Sequence, residues 1–205
     1  MFADAGWNIA GIDFTNDGLL HFQPELAANL EVGNVFETLE VSFKLGNRYD
    51  LIAINNVLEH VIGPVKLLEQ LRQIMAPNGL LRISMPKDGA WLQQYAVELD
   101  VTDRDFWVAY PEHLNYFNNH GLLSILKHVG FSKIDLLADF EIDLFLLPPQ
   151  TNYRQNKAMG SVAHDIRLKF ETQLFRSVTM KEFINFRKAS ASVGVGRNLI
   201  AYVKI

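Results

Sequence analysis

The stretch Tyr49–Pro86, YDLIAINNVLEHVIGPVKLLEQLRQIMAPNGLLRISMP, constrains the fold of this chain more than any other. Asp50-Leu51-Ile52-Ala53-Ile54 is a short apolar run with β-branched residues, the pattern of a buried strand. Pro64 marks a helix start, and Leu67, Leu68, Leu71, Ile74 and Met75 fall on one face of an amphipathic helix. Pro77-Asn78-Gly79 stops that helix, and Leu80 to Met85 reads as a second strand. Two strands joined by a crossover of roughly two dozen residues form a right-handed parallel βαβ unit. Ligands of such sheets bind beyond the carboxyl ends of the strands. Here those ends carry Asn55-Asn56-Val57-Leu58-Glu59-His60 and Pro86-Lys87-Asp88.

The same residues resemble a known family. YDLIAINNVLEHV followed by LLEQLRQIMAPNGLLRISMP is similar to the central motifs of class I S-adenosylmethionine-dependent methyltransferases. Those motifs are a strand ending in a "vLEHv" segment, a helix, a "pgG" turn and a strand ending in "P". The resemblance covers roughly Met1 to Phe131 and the last strand. It implies an α/β, Rossmann-like methyltransferase sandwich around a mostly parallel sheet with an antiparallel last strand, in the order 3-2-(1)-4-5-7-6. It also implies S-adenosyl-L-methionine as cofactor and methyl transfer to a small-molecule acceptor. The sulfonium of that cofactor supplies the driving force, so the protein mainly aligns donor, methyl and nucleophile, and no catalytic triad or metal cluster is needed.

The first strand of that order and the glycine-rich turn after it have no counterpart here. Gly194-Val195-Gly196 is no substitute, since no strand feeds it and no helix follows. The expectation is an N-terminally truncated chain whose sheet shows a gap, a re-paired sheet or a partner strand in that place, and which binds the cofactor poorly. The competing reading is a non-catalytic methyltransferase-like module that binds a partner protein.

Site residues follow from the resemblance, each with a plainer alternative. Asn8 to Asp13 matches the second strand of the family's order, with Phe2 to Trp7 as the end of a preceding helix. Asp13 then accepts hydrogen bonds from the ribose hydroxyls, with Phe14 beside it, or it caps the turn Phe14-Thr15-Asn16-Asp17-Gly18. Glu31 to Val35 matches the third strand; Asn34 stands where the family has Asp contacting adenine, or it is an Asn of a strand-end turn, and Val35 lines the adenine face or packs in the core. Asn55 and Asn56 border the methionine part of the cofactor, or end a strand and cap a helix. His60 is a candidate base near neutral pH, or an orienting residue. Pro111 to Phe117 is similar to an "HlnfF" segment, which turns His113 and Tyr116 toward the acceptor or leaves them as helix-entry residues. The aromatic-rich Lys87–Tyr110, with Trp91, Tyr95, Phe106, Trp107 and Tyr110, is placed as an acceptor lid or as a helix capping the core.

Composition narrows the class. The 205 residues are 49% hydrophobic and 20% charged, enough to bury a full core as one domain, 1–205. With no cysteine, disulfides and thiolate metal sites are excluded. No apolar run reaches a membrane span and the start lacks a basic signal region, so a cytoplasmic location is expected. The net charge of −4 hides an asymmetry: from Thr151 onward there are 10 Lys/Arg against 3 Asp/Glu. Either the basic segment attracts an anionic acceptor, or it docks on an acidic body. Nucleic acid is not expected, because the aromatic loop lacks interleaved basic residues.

Beyond the aromatic loop, Asn119 is read as the cap of a helix through Leu122, Leu123, Leu126 and Val129, closed by Gly130-Phe131. Lys133 to Ala138 reads as a strand, and Glu141 to Leu147 as either a strand or a short helix. Ile166, Phe170 and Leu174, then Phe183 and Ile184, predict helices in an insert at about 151–192 before the last strand, Leu199–Ile205.

Overall fold

The strands do not join into one sheet. The computed structural model describes residues 2–102 and 105–205. In it β1 (Gly11–Asp13) pairs in parallel with β2 (Leu30–Val32), joined by α1 (Asp17–Phe22) and a 3-10 segment, Pro24–Asn29. Helix α2 (Val35–Lys44) leads to β3 (Tyr49–Asn55), α3 (Pro64–Gln73) and β4 (Met75–Pro86). Then come α4 (Trp91–Glu98), α5 (Asn119–Val129), β5 (Lys133–Ala138) and a 3-10 segment, Ile142–Leu146. Helices α6 (Met159–Ser177) and α7 (Met180–Ser192) precede β6 (Asn198–Lys204). The second sheet runs β3-β4-β6-β5. Its β3–β4 pair is parallel, and β6 is antiparallel to both its neighbours. This is the expected α/β, Rossmann-like order, interrupted between β1 and β3, which share no ladder.

The core explains why the βαβ stretch dominates. Leu67, Leu68 and Leu71 of α3 are at most 2% exposed and pack on Leu81, Ile83 and Met85 of β4. Each such side chain contributes about 1.5–3 kcal/mol by leaving water. Leu122 and Leu126 of α5 and Leu199, Ala201 and Val203 of β6 complete the cluster. Helix α2 ties the small sheet to this body. Ile12, Val35 and Phe36 pack against the cluster, Gln70 Nε2 donates to Phe36 O at 3.0 Å, and the Lys66 ammonium lies 5.4 Å from the Phe36 ring centre.

Several local expectations are corrected. Residues 2–7 form turns rather than the end of a helix: Ala5 and Gly6 N–H donate three residues back, to Phe2 and Ala3 O. The run expected as a strand over Asn8–Asp13 is strand only from Gly11, and ahead of it Asn29 Nδ2 rather than a strand partner meets Ile9 O at 3.2 Å. Ile74 and Met75 are buried but lie past α3, which ends at Gln73. Pro77-Asn78-Gly79 is a bulge within β4, where the register jumps between Met75 opposite Tyr49 and Leu80 opposite Leu51. A Cβ on Gly79 would stand 2.9 Å from Tyr49 O, so only glycine lets the bulge fold back on the neighbouring strand. Asn118, not Asn119, caps α5, its side chain accepting from Gly121 N–H, and Glu141–Leu147 resolves as the 3-10 segment.

Candidate functional site

Two clusters of the expected residues form, each at the carboxyl end of a sheet. On the small sheet, Asp13 O accepts from Gly33 N–H at 2.9 Å, which brings the ends of β1 and β2 together. Asp13 is exposed, and its Oδ1 takes the Thr15 N–H at 3.3 Å while Oδ2 meets no donor among the described residues. Phe14 beside it is 72% exposed. Asn34 caps α2 through Oδ1, which accepts from Phe36 N–H at 2.9 Å. Val35 is half-buried against the core.

The second cluster grows from the end of β3. Asn55 Oδ1 accepts from the Arg82 guanidinium of β4. Asn56 is left-handed, with φ at 52°, and its N–H donates to Ser84 O at 2.8 Å. Neither caps a helix, because α3 begins only at Pro64 after Gly63. Between them and α3 lies a tight turn, His60 N–H donating to Val57 O, that buries Leu58, Glu59 and Val61 and leaves His60 outside.

Residues 111–117 strap this turn down. Glu59 O accepts from the N–H groups of Leu114 (2.8 Å) and Asn115 (3.0 Å). The Asn115 amide donates to Val61 O at 2.7 Å and Leu58 O at 3.3 Å. His60 Nδ1 lies 2.7 Å from Glu112 O. The two histidines expected from the sequence thus meet, their ring centres 4.9 Å apart, with the Tyr116 ring 6.2 Å from that of His113. Among the described residues no hydrogen bond or ion pair links this cluster to the one around Asp13.

Glu59 is the residue that sequence reading passed over. It is 1% exposed, neither carboxylate oxygen has a hydrogen-bond donor among the described residues, and His60 Nε2 stands 3.7 Å from Oε1. Burial pushes its carboxyl above the usual range. The only signal was its place inside "LEH"; that the carboxylate turns inward depends on the distant strap.

A third group lies after β4. Lys87 is 4% exposed, and its ammonium donates to Gly194 O. Burial lowers its pKa, opposed by Glu141, Asp139 and Asp143. Asp88 exchanges hydrogen bonds with Phe117, and burial raises its carboxyl to about 6. Residues 87–91, 118–120 and 192–194 line an open concavity of about 390 Å3. Trp91 is 52% and Tyr95 43% exposed, because α4 buries Leu92, Gln93 and Ala96 instead. Gly194 lines one side of this concavity, and two residues further on Gly196 N–H donates to Glu141 Oε2 at 2.7 Å. Phe106 and Trp107 stack edge to face at 5.3 Å.

The charge asymmetry is partly met by ion pairs: Lys188 with Asp135 at 2.6 Å and Arg197 with Asp143 at 3.8 Å. Among the described residues, no helix is long and apolar enough to cross a membrane.

Known folds match this arrangement. A S-adenosylmethionine-dependent methyltransferase from Archaeoglobus fulgidus superposes with a TM-score of 0.58 at 16% identity, over 100% of this chain and 79% of that one. The plantazolicin methyltransferase BamL, solved with S-adenosylhomocysteine, gives 0.51 at 9% identity over 98% and 70%. Phosphoethanolamine N-methyltransferase 2 of Haemonchus contortus gives 0.49 at 12% identity, this chain spanning 44% of its length. No curated protein sequence matches. Residues 1–136, which hold the Asp13, Asn55 and His60–His113 positions, match the family described as a methyltransferase domain. With most of its length under that description, the chain belongs to the methyltransferase-domain family.

Proposed function

We propose that this chain binds S-adenosylmethionine and transfers its methyl group to a small-molecule acceptor. The observation that supports this most is the exposed Asp13 at the carboxyl end of β1, one of whose carboxylate oxygens meets no donor among the described residues. A ribose diol offers the two hydroxyl donors such a carboxylate accepts, so the residues fit the nucleoside half of the cofactor. Asn34, Val35 and Phe14 flank it as the adenine side, and Asn55 and Asn56 border the methionine side. When bound, the cofactor supplies a sulfonium-activated methyl, which leaves alignment and water exclusion to the protein. His113 and Tyr116 border the acceptor, and the concavity beside Trp91 admits it. The ion pairs of Lys188 and Arg197 favour charge compensation over a surface that attracts anions. We read residues 1–205 as one domain, α6 and α7 being an insert before the last strand.

Titrating S-adenosylhomocysteine into the isotopically labelled chain tests the reading. Amide shifts are expected at residues 13–14, 33–35 and 55–56, and Asp13→Ala should weaken them several-fold. The loss corresponds to about 1–3 kcal/mol for hydrogen bonds to a charged group. No shifts at millimolar ligand, or shifts elsewhere that Asp13→Ala leaves intact, would overturn it.

A further inference from the structure

Glu59 has no explanation in the packing around it. A buried carboxylate normally collects several donors, since stripping it of water is costly. Here both oxygens have none among the described residues, although Leu114 and Asn115 donate to the backbone carbonyl of the same residue. What faces it instead is a pair of imidazoles. One carboxylate oxygen, one His60 nitrogen and one His113 nitrogen all lie within 4.8 Å of one another.

The His60 ring is prepared to accept rather than donate. His60 Nδ1 contacts the Glu112 carbonyl, and a carbonyl oxygen only accepts, so the proton of the neutral ring sits on Nδ1. That leaves the lone pair of Nε2, the nitrogen nearest Glu59, free. A histidine whose second nitrogen donates to a backbone carbonyl is the usual arrangement of a metal ligand. His113 Nδ1 is buried with no hydrogen-bond partner. Its main chain is fixed from both sides, His113 N–H donating to Ala109 O at 2.8 Å and Leu114 N–H to Glu59 O.

We propose that Glu59, His60 and His113 form a site for one divalent transition-metal ion. Two imidazoles and one carboxylate suit Zn2+ and its first-row neighbours; Mg2+ prefers an all-oxygen shell. Ligand bonds of about 2.0–2.2 Å put tetrahedral ligand atoms about 3.4 Å apart, so these atoms must close by at most about 1.4 Å, within reach of side-chain rotation. The His60 side chain is 42% exposed, so the remaining coordination positions open to solvent or to an acceptor oxygen. The site needs only its three side chains, so it stands or falls independently of cofactor binding.

Isothermal titration of ZnCl2 into the chelator-stripped full chain tests this, with CoCl2 absorption as the second readout. One ion per chain is expected, with the visible bands of nitrogen-coordinated cobalt. His113→Ala and His60→Ala should each weaken binding by about tenfold or more. Neither histidine is a fully buried residue, so these variants are expected to fold, and circular dichroism checks that they do. Binding that survives in the His60→Ala/His113→Ala double variant assigns the ion to another histidine and overturns the site. So does the absence of stoichiometric binding, or Mg2+ binding as tightly as Zn2+.

Discussion

Asn115 holds the turn that carries Glu59 and His60, and its removal should be felt in stability more than its position between buried and exposed suggests. Its amide donates to two main-chain carbonyls, Val61 O at 2.7 Å and Leu58 O at 3.3 Å. At about 0.5–1.5 kcal/mol net each, the longer at the low end, Asn115→Ala should cost about 1–3 kcal/mol. Asn115→Asp has nearly the same shape but turns a double donor into an acceptor facing two acceptors, beside buried Glu59. Partial exposure lets that carboxylate swing toward water, so the further loss should be about 1–2 kcal/mol rather than a full burial penalty. The sign of its pH dependence follows. The introduced carboxyl is held above its unfolded pKa by those carbonyls, so its cost is absent at low pH and appears as pH rises through the folded value. Urea unfolding followed by tryptophan fluorescence at pH 4 and pH 8 measures all three proteins. The order wild type, Ala, Asp should hold at pH 8, and the Ala–Asp gap should narrow at pH 4. An aspartate variant as stable as wild type at pH 8 would refute the strap.

Other outcomes follow from the same geometry. Asp88, raised from 3.8 to about 6 chiefly by burial, contributes stability fully below pH 3.8 that is lost as pH rises through about 6. Asp88→Asn should therefore gain about 1–3 kcal/mol over wild type at pH 8 and almost nothing at pH 4; an equal gain at both would reject burial as the cause. Gly196 has φ at 109°, and a Cβ there would lie 2.5 Å from Ala138 Cβ in buried β5. Gly196→Ala should cost about 3 kcal/mol or more, read as a drop in urea midpoint, and a change under about 1 kcal/mol would contradict it. Trp91→Ala should change stability by less than about 1 kcal/mol and raise acceptor KM while S-adenosylhomocysteine affinity holds. Equal weakening of both ligands with a lower Tm would make Trp91 a packing residue instead.

Local pattern carried the elements whose signals are contiguous. The apolar run before Asn55 and the spacing of Leu67, Leu68 and Leu71 are enough to read β3 and α3, and Gly130-Phe131 closes α5 as expected, with Gly130 left-handed. The errors lie where a distant contact decides. Pro77-Asn78-Gly79 has turn chemistry, yet it bulges within a strand because Gly79 lies against Tyr49 O. Asn118 and Asn119 are equally good caps in isolation; Asn119 is withdrawn because its amide donates to Ala191 O near the end of α7. In the site, His60 and His113 were nameable from their motifs, but not their contact, which depends on the Glu112 and Asn115 bonds. Glu59 stood inside the same "LEH" motif, but that its carboxylate is buried and meets no donor among the described residues has no signature in sequence.

The missing ladder between β1 and β3 divides the molecule into parts of unequal cohesion. No residue of β1, α1 or β2 is buried, and their attachment runs through Ile12 and the α2–α3 contact. Such a unit can open while the β4–β6 core stays closed, so its amides should exchange with solvent far faster than those of Leu81, Ile83 or Ala201. Asp13 sits on the loose part and Asn55 on the firm one. A ligand that touches both must hold the two together, and the free energy of suppressing that opening is subtracted from its affinity.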